Sequence, residues 1–111
     1  MENKTKCFVN KMNAVKRQFL GVDFDVLAIG RQSMVTKMLY KTTDNVPFHN
    51  HPNEQSGYVL SGKFKLQFEN NVYIMTAGDS YSIPADAKHS MQIIEAGEII
   101  DFFTPIREDY L

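Results

Sequence analysis

Short apolar runs separated by turn residues recur along the whole chain. The segment KFKLQF at 63–68 alternates apolar and polar residues, which is the period-2 pattern of a half-buried β-strand. Similar runs lie at 14–20, 24–29, 34–40, 56–60, 72–74, 81–83, 90–94 and 98–104. No segment keeps a 3.6-residue apolar period over ten residues. Many short strands at this spacing predict an all-β fold, a sandwich or a barrel.

The turn residues between these runs predict where strands reverse or end. Asn70-Asn71 follows the alternating segment, and we expect these two residues to form a tight hairpin turn because asparagine tolerates positive φ. Pro84 is expected to stop the strand at 81–83.

The length and charge of the chain restrict its class. With 111 residues it is long enough for one domain, 1–111, and too short for two. The net charge of -1 gives no basic excess for nucleic acid, and no apolar run approaches membrane-spanning length. Cys7 is the only cysteine, which excludes an internal disulfide. Without a secretory signal at its start, the chain is expected to be cytoplasmic.

The three histidines of the chain suggest a metal site. His49 and His51 are two residues apart, so on an extended strand both imidazoles point to the same face. Gln55 follows across Pro52 and can add an amide oxygen, and His89 comes from a separate strand. A lone histidine is more often a surface or core residue than a ligand. Imidazoles with an oxygen donor suit one divalent transition metal ion, such as Mn, Fe, Ni, Cu or Zn.

The surroundings of these residues resemble the two sequence motifs of the cupin family. HNHPNEQSGYVLSG is similar to the first motif and GDSYSIPADAKHSMQ to the second. The matching positions are His49, His51, Gln55 and Gly62 in the first, and Gly78, Pro84 and His89 in the second. The resemblance implies a jelly-roll barrel with the metal inside one end. It also implies, by analogy with other cupins, a homodimer.

Three positions depart from the usual cupin pattern, and the first is Thr43, which replaces the glycine that normally leads the first motif. Asp86 replaces a glycine but can still occupy a left-handed turn. Gln55 replaces the usual glutamate, so the four metal ligands are all neutral and leave the +2 charge of the ion uncompensated. Such a site favours anionic ligands. We therefore expect Lewis-acid chemistry on an anion rather than the chemistry of carboxylate-ligated iron oxygenases.

The C-terminal segment DFFTPIREDYL adds three candidate residues. Asp101 and Phe103 share one face of the last predicted strand, and Arg107 can fold back after Pro105. An arginine near a metal is suited to bidentate capture of a carboxylate. Each residue also has a purely structural interpretation. Asp101 could bond a neighbouring backbone group, Phe103 could belong to the core, and Arg107 could pair with an acid at 108 or 109 on the surface.

This tail resembles one cupin subgroup, the KdgF-like pectin-degradation proteins. Their Asp-x-Phe-Ser/Thr-Pro-x-Arg segment closes the pocket, and they also have the His-x-His…Gln…His ligand set. The resemblance implies that Asp101, Phe103 and Arg107 are catalytic or substrate-binding residues. It further implies a small anionic sugar-acid substrate, a 4,5-unsaturated uronate that is converted to a linear 4-deoxy-5-keto uronate.

Other functions stay open at this point. The chain could be a non-catalytic cupin that binds or senses a small acid, or a metal-dependent dioxygenase or sugar isomerase. In each case we expect the pocket to be lined in part by Met38, Tyr40 and Met91.

Overall fold

The computed structural model describes residues 4–111, which form two antiparallel β-sheets around one apolar core. The ten strands are β1 (Val15–Phe19), β2 (Val22–Ile29), β3 (Met34–Tyr40), β4 (Asn45–His49), β5 (Glu54–Val59), β6 (Lys63–Phe68), β7 (Asn71–Thr76), β8 (Ser80–Ile83), β9 (His89–Glu95) and β10 (Gly97–Thr104). The helical residues are two 3-10 turns, Lys11–Asn13 and Glu108–Tyr110. The all-β prediction and the jelly-roll barrel implied by the resemblance are therefore confirmed.

The order of the strands brings distant parts of the chain together. The six-stranded sheet has the order β1-β2-β3-β10-β5-β8, and the four-stranded sheet has the order β4-β9-β6-β7. The C-terminal strand β10 is thus inserted between β3 and β5, and β9 lies between β4 and β6. This topology places the predicted C-terminal residues beside the strand that carries Gln55.

Alternation along β10 decides which of its side chains enter the barrel. Ile99, Asp101 and Phe103 are each at most 1% exposed, whereas Phe102 is 45% exposed. Successive residues of a strand point to opposite faces, so the carboxyl group of Asp101 lies on the same side as the core residues. This confirms that Asp101 and Phe103 share a face.

The hairpin between β6 and β7 differs from the sequence prediction. Phe68 pairs with Asn71, so the two turn residues are Glu69 and Asn70, and Asn71 is already the first residue of β7. Glu69 takes the positive φ of 54°. The register of the hairpin, which pairs Leu66 with Tyr73 as well, outweighs the preference of asparagine for this conformation. The expected left-handed turn at Asp86 is present, with φ of 66°.

The N-terminal segment is attached to the larger sheet. Lys6 and Ile29 exchange two backbone hydrogen bonds of 2.8 and 3.0 Å, and Cys7 beside them is exposed. Among residues 4–111 there is no helix long and apolar enough to cross a membrane.

Gly62, the glycine of the first motif, is required by both its conformation and its surroundings. Its φ is +91°, and a Cβ atom there would lie 2.8–2.9 Å from backbone atoms of residues 95–97. Gly78 has a similar φ of +94° but has no atom within 4 Å of the corresponding position. Alanine substitutions at the two positions therefore distinguish the free-energy cost of the backbone conformation from that of the steric clash.

We expect Gly62→Ala to destabilise the protein more than Gly78→Ala does. Both substitutions place alanine at positive φ, at a cost of about 1 kcal/mol, but only the first must also displace rigid backbone. Urea unfolding of both variants measures the difference. Equal free energies of unfolding for the two variants would contradict the close packing around Gly62.

Candidate metal centre

Three histidines from two neighbouring strands and one loop converge at one end of the barrel. His49 ends β4 and is paired with His89, the first residue of β9. His51 lies in the loop that follows β4. One ring nitrogen of each histidine lies within 4.8 Å of the other two. The convergence predicted from the sequence is present. His51, however, lies beyond the end of β4, so the loop after His49, and not a shared strand face, directs its ring inward.

Main-chain carbonyl groups fix the orientation of all three rings. Each Nδ1 lies 2.9 Å from the carbonyl oxygen of the residue two positions away; the pairs are His49–Pro47, His51–Asn53 and His89–Ala87. A carbonyl oxygen only accepts hydrogen bonds, so Nδ1 must carry the hydrogen. In a neutral imidazole the lone pair is then on Nε2, the nitrogen that is free to bind a metal.

His89 shows most directly that these residues fit a cation. Its Nε2 is buried and has no hydrogen-bond partner among the described residues. Burial, together with the two neighbouring histidines, lowers the pKa of His89 to about 4, so the ring is neutral at pH 7. A buried lone pair without a donor is costly, and a bound metal ion would satisfy it.

Gln55 supplies the fourth donor of the predicted set. Its Oε1 lies 3.0 Å from Nε2 of His51. Since that nitrogen carries a lone pair, two electron-rich atoms face each other, an arrangement that a shared cation stabilises. Glu54, the neighbouring carboxylate, is exposed on the other face of β5, as its position in the strand predicts. The donor set of three imidazoles and one amide oxygen suits a divalent transition metal ion.

Asp101 lies beside this cluster as a buried acid. Its side chain is 1% exposed, and the Tyr81 hydroxyl donates a 2.6 Å hydrogen bond to its Oδ1. Burial raises the pKa of Asp101 to about 7, although hydrogen bonds from Tyr81 and Gln55 and the charge of Arg107 oppose the rise. A carboxyl group with this pKa can both donate and accept a proton near neutral pH.

Arg107 is buried under the C-terminal turn. Its guanidinium group donates two hydrogen bonds to Asp109, of 2.7 and 3.2 Å, and one of 2.9 Å to the hydroxyl of Tyr110. It also lies 4.0–5.3 Å from the ring centres of Phe19, Phe103 and Tyr110. The structural interpretation that paired this arginine with a nearby acid is therefore correct for Asp109. Arg107 itself is only 4% exposed and lines the cavity, whereas the side chain of Asp109 is 54% exposed.

One cavity joins the histidines to the C-terminal residues. It is lined by His49, Gln55, His89, Asp101, Phe103 and Arg107, and also by Met38, Tyr40 and Met91, as predicted. Its volume of about 30 Å³ leaves room for about two water molecules. The cavity is therefore nearly filled by side chains in this conformation.

Several residues at the site take part in contacts that no sequence pattern predicts. Tyr81 was predicted to lie in a strand, but not to bond Asp101. Asn53 bonds His51 through its carbonyl group and donates a 2.7 Å hydrogen bond to the carbonyl oxygen of Pro105, which connects the histidine loop to the C-terminal segment. Tyr110 follows the matched tail, and no local pattern marks it as a partner of Arg107.

Comparison with known proteins identifies the family. The family model for the cupin domain matches residues 37–103, which include all four predicted ligands and Asp101. This chain belongs to the cupin family. The short separation between its two histidine motifs and its all-β architecture agree with that assignment.

This cupin resembles KdgF proteins in sequence and structure. It is 27% identical over 100 residues to the pectin degradation protein KdgF of Dickeya dadantii, a match that covers 89% of this chain and 86% of that protein. The structure of KdgF from Halomonas sp. matches with a TM-score of 0.82 and 23% identity, over 94% of this chain and 98% of that one. An RmlC-like cupin from Shewanella frigidimarina matches with a TM-score of 0.88 and 25% identity, over 96% and 97%.

We expect the protein to bind about one equivalent of Zn²⁺ or Co²⁺ and to unfold at a higher temperature when the metal is bound, because the native state alone offers the converged donors. His89→Ala should weaken metal binding by more than about 100-fold, beyond the loss usual for an outer-sphere partner. Gln92→Ala, on the exposed face of the same strand, is the matched control.

Competition with a coloured chelator measures both affinities, and a thermal melt with and without metal measures the stabilisation. Metal affinity that is equal in the two variants would place the binding site away from His89.

Proposed function

We propose that this cupin is a metal-dependent enzyme that converts 4,5-unsaturated uronates to linear 4-deoxy-5-keto uronates. The observation that carries the proposal is the presence of a buried acid, Asp101, in the same cavity as His49, His89 and Arg107. The reaction is an isomerisation. It therefore needs a group that moves protons and groups that hold an anion, but no oxidant or second substrate.

The metal ligands favour an anionic substrate. His49, His51, Gln55 and His89 are the residues that would hold a divalent ion, and all four are neutral donors. A metal bound there would supply Lewis-acid polarisation of a substrate oxygen. Because no ligand carries a negative charge, the site attracts the carboxylate of a sugar acid more strongly than a site with a glutamate ligand would.

Arg107 is the residue proposed to hold the substrate carboxylate. Its planar guanidinium group already makes a bidentate contact with the carboxylate of Asp109. In our proposal, the carboxylate group of Asp109 thus occupies the position that a substrate carboxylate would take. The cavity of about 30 Å³ is too small for a sugar, so binding requires this exchange and a shift of the residues after Pro105. Phe103, which lies against the guanidinium group, would shape the wall of the pocket.

Asp101 is the proposed acid and base. In the reaction, the hydroxyl group on C1 loses a proton, the bond between C1 and the ring oxygen breaks, and an aldehyde forms at C1. The ring oxygen remains on C5 as an enolate, which becomes a ketone when C4 receives a proton. A carboxyl group with a pKa of about 7 can accept the first proton and deliver the second.

The relatives support this choice of substrate. The curated protein that this chain resembles is named as a pectin degradation protein, and its similarity covers most of both chains. Uronates are the acidic sugars of pectin, which agrees with the cationic character expected for the metal-loaded cavity. A homodimer stays a prediction by analogy with other cupins.

The test is turnover of unsaturated galacturonate by the metal-loaded protein, followed by the loss of absorbance of its conjugated double bond against a control without enzyme. Asp101→Asn should lower kcat by about 10²–10⁴-fold, the range for loss of a general acid or base, when both proteins are assayed at saturating metal. Asp25→Asn is the matched control, because Asp25 is also a buried carboxylate but pairs with Lys16 outside the cavity.

No acceleration over the control would contradict the proposed enzyme. Binding of the uronate without turnover would then favour a sensing cupin, and oxygen consumption by the iron-loaded protein would favour a dioxygenase. If Asp25→Asn and Asp101→Asn lowered kcat equally, the role of Asp101 would fail.

A further inference from the structure

Three neighbouring strands place Asp101, Gly57 and Tyr81 in one row inside the barrel. In the six-stranded sheet, Asp101 of β10 is opposite Gly57 of β5, and Gly57 is opposite Tyr81 of β8. Strands lie about 4.8 Å apart, so β8 and β10 are separated by about 10 Å. A side chain from β8 reaches β10 only if the residue between them leaves the space free.

Gly57 leaves that space free. A Cβ atom on Gly57 would overlap the phenol ring of Tyr81, whose outer ring atoms and hydroxyl oxygen are its nearest neighbours. The ring therefore lies directly over the glycine. From there the Tyr81 hydroxyl donates its 2.6 Å hydrogen bond to Asp101 on the far side. The need for glycine at position 57 comes from this close approach and not from a positive φ.

The amide of Gln55 lies on the same side of the sheet as these two groups. Gln55 is two residues before Gly57 on β5, so its side chain points to the same inner face as the row of Asp101, Gly57 and Tyr81. It opposes the rise in the pKa of both Asp101 and Tyr81, and only the amide NH₂ group of glutamine can donate to their oxygens. The opposite end of the amide, Oε1, faces His51 at 3.0 Å. The oxygens of Asp101 and Tyr81 thus decide which end of the amide points at the histidines.

This arrangement gives a physical reason for glutamine at position 55. A glutamate there would have no NH₂ group and would set its carboxylate against the carboxyl group of Asp101. Two acids at hydrogen-bond distance repel each other unless they share a proton. A neutral glutamine at position 55 is therefore compatible with the buried acid Asp101, whereas a glutamate there would repel it.

We propose that Tyr81 is a positioning residue of the metal centre: its hydroxyl, reaching over Gly57, fixes the Asp101 carboxyl group and with it the Gln55 amide, whose oxygen is thereby directed to the metal. The inference rests on the metal-binding part of the proposed function. It does not depend on the uronate reaction, because the consequence is measured on metal binding alone.

The first experiment uses Co²⁺ as the probe, with affinity measured by chelator competition and ligand geometry by the visible absorption spectrum. Tyr81→Phe removes only the hydroxyl and should lower Co²⁺ affinity by about 10-fold, the low end of the range for outer-sphere partners, and alter the spectrum. Tyr58→Phe is the control, because Tyr58 lies on β5 next to Gly57 but is 46% exposed on the outer face of the sheet, away from the cavity. It should keep the wild-type Co²⁺ affinity.

A second experiment tests the path over Gly57. Gly57→Ala should weaken Co²⁺ binding by displacing the Tyr81 ring, but it should cause no further loss in a Tyr81→Ala background, where the ring is absent. Thermal melts of the metal-free variants should show the same dependence: Gly57→Ala should lower the melting temperature in the wild-type background but not further in the Tyr81→Ala background. This comparison tests the contact even if the single variant folds too poorly for metal binding to be measured.

Wild-type affinity and spectrum in Tyr81→Phe would overturn the proposal. Equal losses in Tyr81→Phe and Tyr58→Phe, or additive losses from Gly57→Ala and Tyr81→Ala, would also overturn it. If Tyr81→Phe weakens Co²⁺ binding while wild-type protein fails to convert the uronate, the positioning role stands and the proposed reaction falls.

Discussion

The metal centre depends on three hydrogen bonds between imidazole Nδ1 atoms and main-chain carbonyl groups. Each bond holds a histidine in the tautomer with a free lone pair on Nε2, and each carbonyl group belongs to a residue two positions away in the chain. The orientation of the donors is therefore built into the local backbone before any metal binds. The Nε2 of His89, which is buried and has no hydrogen-bond partner within residues 4–111, is the cost of this preorganisation.

Charge connects the metal centre to the groups around it. Four neutral ligands would leave the charge of a bound ion uncompensated. Burial raises the pKa of the nearby acid, Asp101, to about 7, so this group is about half protonated at that pH. Arg107 adds a positive charge that is balanced by Asp109 in this conformation. Asp109 lies on the C-terminal turn with its side chain 54% exposed, and it is the group that an incoming carboxylate would replace in the proposed function.

Strand alternation explains why much of the site could be predicted from the sequence. It placed Asp101 and Phe103 on the inner face and Glu54 on the outer one, and the spacing of the motifs indicated the four ligands. Contacts that depend on strand order could not be predicted, because nothing local shows that Tyr81 and Asp101 are separated by only one strand. The loop position of His51 and the pairing of Arg107 with Tyr110 likewise depend on how distant segments pack.

X-ray absorption spectroscopy of the Zn²⁺-loaded protein tests the central claim most directly. The account predicts a first shell of nitrogen and oxygen atoms only, at about 2.0–2.2 Å, with the multiple-scattering signal of three imidazoles. A sulfur atom in the first shell, or fewer than three imidazoles, would contradict the proposed metal centre.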